Sequence, residues 1–405
     1  MKKKLLLTDF KPIQLGTLHD QNLLNQYHKS LFYKVTKKPV GTLVTQEAEG
    51  EAKSHYDYVS NQIDRYSIGK DMINKRQLLM HEQIKNFISN EMEVSTLEEY
   101  QFPEMFKNIS HENKGAKLDD RMEWFKNEMQ HVFDIFYNNK QEAPENLIHV
   151  TCSGYSSPSV AQIAMSQRNW LNSTVTHSYQ MGCYGAFPAI RTANALLTAS
   201  EDNGRIDIIH TELLSAHINL TEFSSSNSLI SSLFADGFIG YSLYEENKFR
   251  KIKPNASALK ILAFHEVMIE SSLEDMSWDL GAHNFLMTLS RKVPVFIRNN
   301  IKQFLSDLCS KVGVDLEKEK YNLLFAIHPG GPKIIDYIIK EMELFEDQAK
   351  WSINVLRRQG NMSSATIPYV FNDMLNDDSI KKGTKIVSMA FGPGLTATSM
   401  LVEKV

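Results

Sequence analysis

One cysteine of this 405-residue chain stands where a strand pattern gives way to a helix pattern. Cys183 lies in the stretch QMGCYGAFPAIRTANALL, preceded by the strand-like THSYQM and followed by an alanine-rich helix. Free cysteines are often buried, so one interpretation is an inert thiol that fills space in the core. The other is a nucleophile, because amides at a helix start would lower the pKa of the thiol and could stabilise an oxyanion.

Two further side chains could assist such a nucleophile. His328 follows an apolar strand pattern in FAIHPGGPKIID. It is either an ordinary strand-end histidine or an imidazole that meets substrate across a glycine turn. Asn361, in GNMSSATI, is either a helix N-cap or a neutral hydrogen-bond donor to an enolate or oxyanion. A thiol nucleophile needs a base and a donor from elsewhere in the chain, so the three residues together favour covalent acyl transfer.

Composition and the lack of other motifs exclude several classes of protein. The net charge of −4 implies no extended basic face, so we expect no nucleic-acid partner. The three cysteines, Cys152, Cys183 and Cys309, lack CxxC spacing, so we expect reduced thiols and no metal site. No run of 18 apolar residues predicts a membrane span, and MKKKLLLTDF is too short for a signal peptide. We therefore expect a cytoplasmic enzyme.

Alternating strands and helices must position the three residues. The first 145 residues are mostly helical in pattern, after a first strand at the N-terminus, with helices predicted over residues 71–92 and 118–139. Beyond them, apolar strand patterns alternate with helices, which predicts an α/β fold with largely buried strands. Each half has a strand that leads to a reactive residue. We therefore expect two similar halves, residues 1–245 with the cysteine and residues 246–405 with the histidine and asparagine.

Four motifs occur in an order that resembles the type III polyketide synthases, the chalcone synthase-like enzymes. They are GCYGAFPAIRTA, HPGGPKIID, GNMSSATI and FGPGLT, and the segments HVTCSGYSSPS and GKDMINKR are also similar to that family. The resemblance runs from about residue 60 to the end of the chain and is weakest before residue 140. It implies a thiolase-like αβαβα fold of two similar halves, assembled as a homodimer, with the site at the end of a coenzyme A tunnel.

The resemblance also implies a reaction and a role for each of the three residues. Cys183 would be acylated by a starter thioester, and His328 would help to generate its thiolate. His328 and Asn361 would then hold the thioester carbonyl of malonyl-CoA as carbon dioxide leaves, and the enolate would attack the acyl-cysteine in a Claisen condensation. Coenzyme A thioesters would be substrates, no cofactor would be bound permanently, and the product could cyclise to a pyrone, resorcinol or phloroglucinol.

The same resemblance implies roles for residues at the surface and in one loop. Lys70 matches a lysine that contacts the coenzyme A phosphates, with Arg65 nearby, although a solvated helix lysine fits the sequence equally well. Gly392, Pro393 and Gly394 match a loop that shapes the substrate cavity in the family.

Three positions bear on the choice of substrate. Ile218 and Met287 align with the gatekeeper phenylalanines of the plant enzymes, although such residues are more often plain core residues. Ser157 aligns with a residue that reaches across the dimer into the partner's cavity. These replacements predict a softer and wider cavity that suits an aliphatic acyl starter.

Two other functions are compatible with the same motifs. One is a single-round 3-ketoacyl synthase of the same fold, with its starter delivered on coenzyme A or on an acyl carrier. The other is a non-catalytic partner subunit that only binds an acyl carrier. The presence of Cys183, His328 and Asn361 together argues against the second, since a non-catalytic subunit has no need of all three.

Overall fold

Thirteen strands and twelve helices follow one another in the computed structural model, which describes residues 3–37, 46–80, 104–138, 142–199 and 204–405. The strands are β1 (Leu5–Ile13), β2 (Leu18–Asp20), β3 (Lys75–Gln77), β4 (Asn146–Thr151), β5 (Thr174–Tyr179), β6 (Arg205–Glu212), β7 (Gly237–Glu245), β8 (Leu259–Met268), β9 (Met276–Leu280), β10 (Phe285–Leu289), β11 (Leu324–Ile327), β12 (Lys385–Gly392) and β13 (Thr396–Lys404). The helices are α1 (Gln21–Thr36), α2 (Gln46–Tyr66), α3 (Leu118–Tyr137), α4 (Val160–Gln167), α5 (Ala186–Ala199), α6 (Ser225–Leu233), α7 (Glu246–Ile252), α8 (Val293–Ser310), α9 (Leu316–Glu319), α10 (Pro332–Met342), α11 (Lys350–Gln359) and α12 (Thr366–Leu375).

Nine of the strands form one mixed sheet in the order β11, β12, β13, β8, β1, β7, β6, β4, β5. Strand β4 runs parallel to β5 and β6, and β11 runs parallel to β12, while the remaining neighbours are antiparallel. Strands from before residue 245 occupy one end of the sheet and later strands the other, joined where β8 pairs with β1. The division into halves at residue 245 stays a prediction.

Three clusters of buried residues separate the layers of the fold. Helices α1, α3 and α4 pack on the outer face of the first-half strands. Helices α5 and α12 lie between the strands of the two halves, with apolar residues of β4, β6 and β7 on one side and of β12 and β13 on the other. Helices α8 and α10 cover the outer face of β11, β12 and β13. This succession is the predicted αβαβα layering, and the fold is thiolase-like.

The predicted elements agree with the structure except in one stretch. The helix predicted over residues 118–139 is confirmed as α3, and the strands before His328 and around Gly392 are confirmed as β11 and β12. The helix predicted over residues 71–92 is wrong at its start, because Lys75–Gln77 forms β3. There, the β2 backbone pairs with β3, and the Arg357 carbonyl accepts the Asn74 N–H, so the segment is held extended. Residues 81–92 lie outside the described residues.

Substitution of Gly240 in β7 tests the close packing of this strand against α3. A Cβ at this position would overlap the ring of Phe136 in α3. We expect Gly240→Ala to lower the free energy of unfolding by about 1–3 kcal/mol, the usual effect of overpacking a core, as measured by chemical denaturation.

Gly50 in α2 supplies the matched control, because a Cβ there has no neighbouring atom within 4 Å. Gly50→Ala should stabilise the protein by roughly 0.5–1 kcal/mol, since alanine favours helix interiors over glycine. Equal free energies of unfolding for the two variants would contradict the close contact between β7 and α3.

Candidate active site

Cys183 lies in a single 3-10 turn, Gly182–Tyr184, that joins β5 to α5. Gly182 adopts a φ of +62°, and a Cβ there would come within 2.7 Å of Pro393 Cδ. Glycine is therefore required for both the backbone conformation and the close approach of the loop after β12. The turn leaves the Cys183 side chain buried, just ahead of the N-terminus of α5.

Burial dominates the protonation of this thiol. Burial raises the pKa of Cys183 to about 12. A hydrogen bond from Ser363 lowers this pKa, the Glu212 carboxylate raises it, and Asn361 lowers it. A backbone amide does lower this pKa, as expected at the helix start, but the loss of solvation outweighs it and the side-chain donors, so the net shift is upward. Because its pKa is raised, the Cys183 thiol is neutral near pH 7.

His328 immediately follows β11 and is held by its backbone. Its N–H donates to the Met389 carbonyl of β12 over 2.8 Å, and its own carbonyl accepts from the Gly330 N–H. The side chain is 1% exposed, and neither Nδ1 nor Nε2 has a hydrogen-bond partner within the described parts of the chain. Burial lowers the pKa of His328 to about 3, so the imidazole is neutral near pH 7.

The Asn361 side chain accepts one hydrogen bond from the backbone and has an amide nitrogen that donates none of normal geometry to the described residues. Its backbone N–H donates to the Leu233 carbonyl, and its carbonyl accepts from the Ala235 N–H. Its side-chain Oδ1 accepts from the Ser363 N–H over 2.8 Å, the kind of contact that an N-cap makes ahead of a helix. The amide Nδ2 is buried and forms no hydrogen bond of normal geometry with any residue that the structure describes.

A cavity opens beside the cysteine, with about 920 Å3 of space free of protein atoms, part of it open to solvent. Cys183, Ser363 and Pro393 line it, and so do Ile218 and Met287. Neither His328 nor Asn361 is among its lining residues. Asn361 is close enough to Cys183 to lower the pKa of its thiol, and His328 follows β11, the strand that pairs with β12.

Aromatic rings form one wall of this cavity, which the sequence motifs did not indicate. The His217 ring stacks on Phe285 with centroids 4.2 Å apart, and Trp278 meets both rings edge-on. Trp278 Nε1 also donates to the Cys152 carbonyl over 2.6 Å, which fixes the β9–β10 hairpin against the end of β4. Phe234 adds a fourth ring. The cavity therefore combines the aliphatic side chains of Ile218 and Met287 with an aromatic wall.

A buried carboxylate that sequence analysis missed organises the cysteine's surroundings. Glu212, at the end of β6, accepts the Cys152 N–H over 3.0 Å and the Cys152 thiol over 3.2 Å through Oε2. Its Oε1 accepts from the Ser364 hydroxyl, and Ser363 Oγ lies 3.1 Å from the Cys152 sulfur. Burial raises the pKa of Glu212, and these donors oppose that effect. The network holds the Ser363–Ser364 turn next to Cys183.

The charged residues implied for coenzyme A lie apart from the cavity. Lys70 forms a 2.6 Å ion pair with Asp20 at the surface, and its side chain is about half exposed. Arg65 is also exposed, near the end of α2, where its guanidinium lies 5.5 Å from the Tyr66 ring centroid. Neither residue lines the cavity.

Of the other positions that the resemblance implies, only some lie at the cavity. Ser157 is exposed and does not line the cavity, and of the 392–394 loop only Pro393 does so. Gly392 packs against the Tyr184 ring, where a Cβ would overlap it. Gly394 has a φ of +102°, a backbone conformation that suits glycine.

The described residues contain no group of three or more His, Cys, Asp and Glu side chains arranged to bind a metal ion. Across the same parts of the chain, no helix has both the length and the apolar character needed to cross a membrane.

The buried Cys183 thus lies at the start of a middle-layer helix of a thiolase-like fold. Residues 260–405 match the family described as chalcone and stilbene synthases, C-terminal domain. A Bacillus subtilis protein provisionally named chalcone synthase is 28% identical over 265 residues, 64% of this chain and 70% of that protein. The Mycobacterium tuberculosis protein named alpha-pyrone synthesis polyketide synthase-like Pks18 is 25% identical over 260 residues, 64% of each chain.

Solved structures agree with the fold. The crystal structure of the C-terminal type III polyketide synthase domain of Steely1 from Dictyostelium aligns with a TM-score of 0.75 at 20% identity, over 99% of both chains. The resemblance of the chain to type III polyketide synthases is therefore confirmed, with residues 260–405 matching the C-terminal domain of the chalcone and stilbene synthases.

Substitution of Ser363 tests how strongly its hydroxyl opposes the effect of burial on the pKa of Cys183. Removing its hydroxyl in Ser363→Ala takes away a donor that lowers the pKa of the thiol, so that pKa should rise. We expect alkylation of Cys183 by iodoacetamide to shift to higher pH by roughly half to one unit, the effect of one hydrogen bond of about 1 kcal/mol. Peptide mass mapping separates Cys183 from the other two cysteines.

Ser364→Ala is the matched control, because its hydroxyl contacts His210 and Glu212 rather than the thiol. Its alkylation profile should stay closer to that of the unaltered protein. A profile for Ser363→Ala that stays in place or moves to lower pH would contradict the role of this hydroxyl.

Proposed function

We propose that the protein is a type III polyketide synthase-like acyltransferase that extends an acyl starter by decarboxylative condensation with malonyl-CoA. One observation carries this proposal. His328 and Asn361 are each 1% exposed, yet His328 Nδ1 and Nε2 and Asn361 Nδ2 form no hydrogen bond of normal geometry with the described residues, although Asn361 is close enough to Cys183 to lower the pKa of its thiol. Leaving a buried polar atom unpaired costs about 1–3 kcal/mol, so these atoms are best explained as ligands for a substrate group.

Loading of the starter uses the neutral thiol and the neutral imidazole. As the Cys183 sulfur attacks the carbonyl carbon of an acyl-CoA, the His328 imidazole accepts the thiol proton, and the bond to the coenzyme A sulfur breaks. The proton then passes to the departing thiolate, and the acyl group remains on Cys183. Proton transfer that accompanies attack is compatible with the raised pKa of Cys183, because no stable thiolate is needed beforehand.

Extension uses the same donors on a second thioester. The malonyl thioester oxygen would accept hydrogen bonds from Asn361 Nδ2 and from the imidazole of His328. As the bond to the carboxylate breaks and carbon dioxide leaves, negative charge moves onto that oxygen, which strengthens both hydrogen bonds. The enolate carbon then attacks the acyl carbonyl and displaces the Cys183 thiolate.

The lining of the cavity supports an aliphatic acyl starter. Ile218 and Met287 are flexible or branched aliphatic residues, and the aromatic wall offers flat apolar surface to a hydrocarbon chain. Starter and extender would both be coenzyme A thioesters, with no permanently bound cofactor. Lys70 and Arg65 would meet the coenzyme A phosphates at the surface, with a phosphate replacing Asp20 as the partner of Lys70.

A pyrone is the product class that a relative's name supports, because Pks18 is named for alpha-pyrone synthesis. The proposed homodimer is compatible with β5, the last strand at its end of the sheet, since its outer edge is unpaired in the part of the chain described. In such a dimer the exposed Ser157 could face the partner's cavity.

Cys183→Ala tests the nucleophile directly. Incubation of the unaltered protein with acetyl-, hexanoyl- or lauroyl-CoA should add one acyl mass to Cys183, and addition of malonyl-CoA should release carbon dioxide and extended products. Cys183→Ala should lose the adduct and the products, because the covalent carrier is gone. Mass spectrometry of the protein and of its products reads both outcomes.

Cys309→Ala provides the control, since Cys309 is a buried thiol of α8 that does not line the cavity. It should keep the adduct and the products. No adduct on Cys183 with any starter, or full product formation by Cys183→Ala, would refute the proposal. A product extended only once would favour a single-round 3-ketoacyl synthase.

A further inference from the structure

A fully buried arginine lies beside the segment that holds Asn361. Arg76, in β3, has no exposed surface. Its Nε donates to Gln21 Oε1 over 2.7 Å, and one terminal nitrogen donates to the Ser231 carbonyl over 2.9 Å and to the Phe234 carbonyl. The two carbonyls belong to the C-terminal end of α6, where a cation is electrostatically favourable. Arg76 therefore fixes the path of the chain as it leaves that helix.

The same short segment supports Asn361 from both sides. Leu233 accepts the Asn361 N–H over 3.0 Å, and the Ala235 N–H donates to the Asn361 carbonyl over 2.9 Å. Phe234, between them, pairs with Asn361 as an isolated parallel bridge and lines the cavity. A displacement of residues 233–235 would thus move both the Asn361 backbone and one wall of the cavity.

The arginine also contacts the residue before Asn361. Gly360 has a φ of +74°, and a Cβ there would come within 2.8 Å of both Cγ and Cδ of Arg76. The glycine allows the backbone ahead of Asn361 to lie directly against the arginine stem. Arg76 is therefore in contact with the Asn361 loop on one side and with the α6 end on the other.

We propose that Arg76 is a positioning residue, which sets the direction of the Asn361 amide by bracing residues 231–236 and Gly360. This inference rests on the proposed function, in which Asn361 Nδ2 binds the malonyl thioester oxygen. Arg76 does not line the cavity, so its effect on the reaction must pass through Asn361 and Phe234. Decarboxylation depends on Asn361 as the donor to the thioester oxygen. Starter loading depends chiefly on Cys183 and His328, which Arg76 does not brace, and Asn361 affects it only through its smaller effect on the pKa of Cys183.

The two half-reactions can be measured separately. Acylation of Cys183 by hexanoyl-CoA is followed by the mass of the protein, and decarboxylation by release of labelled carbon dioxide from carboxyl-labelled malonyl-CoA. For Arg76→Met we expect the acylation rate to stay within about twofold, while carbon dioxide release falls roughly 10- to 100-fold, as expected for a misplaced donor. Arg76→Lys should recover part of the loss, because an ammonium can still reach one of the carbonyls.

Lys404→Met supplies a matched control for the loss of a buried cation. Lys404 donates to the Met374 and Asp377 carbonyls at the C-terminal end of α12, away from Asn361. This variant should lower stability but change acylation and decarboxylation by the same factor. Equal factors in Arg76→Met, or a selective loss of decarboxylation in Lys404→Met, would overturn the inference.

Gly360→Ala decides the matter if Arg76→Met does not fold. Its Cβ would press on the arginine stem, so the variant should show the same selective loss of decarboxylation. Equal effects on both half-reactions would overturn the inference.

Assays of the unaltered protein distinguish a failure of the proposed function from a failure of this inference. If it neither acylates Cys183 nor decarboxylates malonyl-CoA, the proposed function fails and the inference with it. If it does both and the variants show no selective loss, only the inference fails.

Discussion

The site is organised around a few buried polar atoms that form no hydrogen bond of normal geometry with the described residues. The ring nitrogens of His328 and Nδ2 of Asn361 are in this condition within the described chain. Among the described residues, the His328 ring has no side-chain hydrogen bond, and the Asn361 amide has only the one that its Oδ1 accepts from the Ser363 N–H, so backbone contacts do much of the positioning. Met389 holds His328, and Leu233 and Ala235 hold Asn361. The site is therefore rigid before any substrate arrives, which is what a preorganised donor pair requires.

Glycines let the two sets of strands bring this site together. Cys183 comes from the chain before residue 245 and Asn361 from the chain after it, and the helices that follow them, α5 and α12, share the middle layer. A Cβ at Gly185 would lie 3.1 Å from Ser364 Cβ, and one at Gly182 would lie 2.7 Å from Pro393 Cδ. Larger residues at these points would separate the thiol from its neighbours.

The sequence predicted the local features well and the long-range ones poorly. Strand patterns, the turn before α5 and the types of Cys183, His328 and Asn361 can be read from a few consecutive residues. The high pKa of Cys183 cannot, because it depends on how completely the folded chain removes water. The helix predicted over residues 71–92 was wrong at its start for a related reason, since pairing with β2 overrode the local pattern. Glu212 and Trp278 lie outside the motifs, and Arg76 ends the GKDMINKR segment without any local signal of its contacts, so only the fold brings the three residues to the site.

The central claim is that His328 and Asn361 keep their donors for the oxygen of a thioester. A crystal structure of the protein with an unreactive malonyl-CoA analogue, in which the scissile carboxylate is replaced by a group that cannot leave, tests it most directly. The account predicts the thioester oxygen within roughly 3 Å of both Asn361 Nδ2 and one nitrogen of the His328 ring. A thioester bound elsewhere, with these atoms still unpaired or bonded to other protein groups, would contradict it.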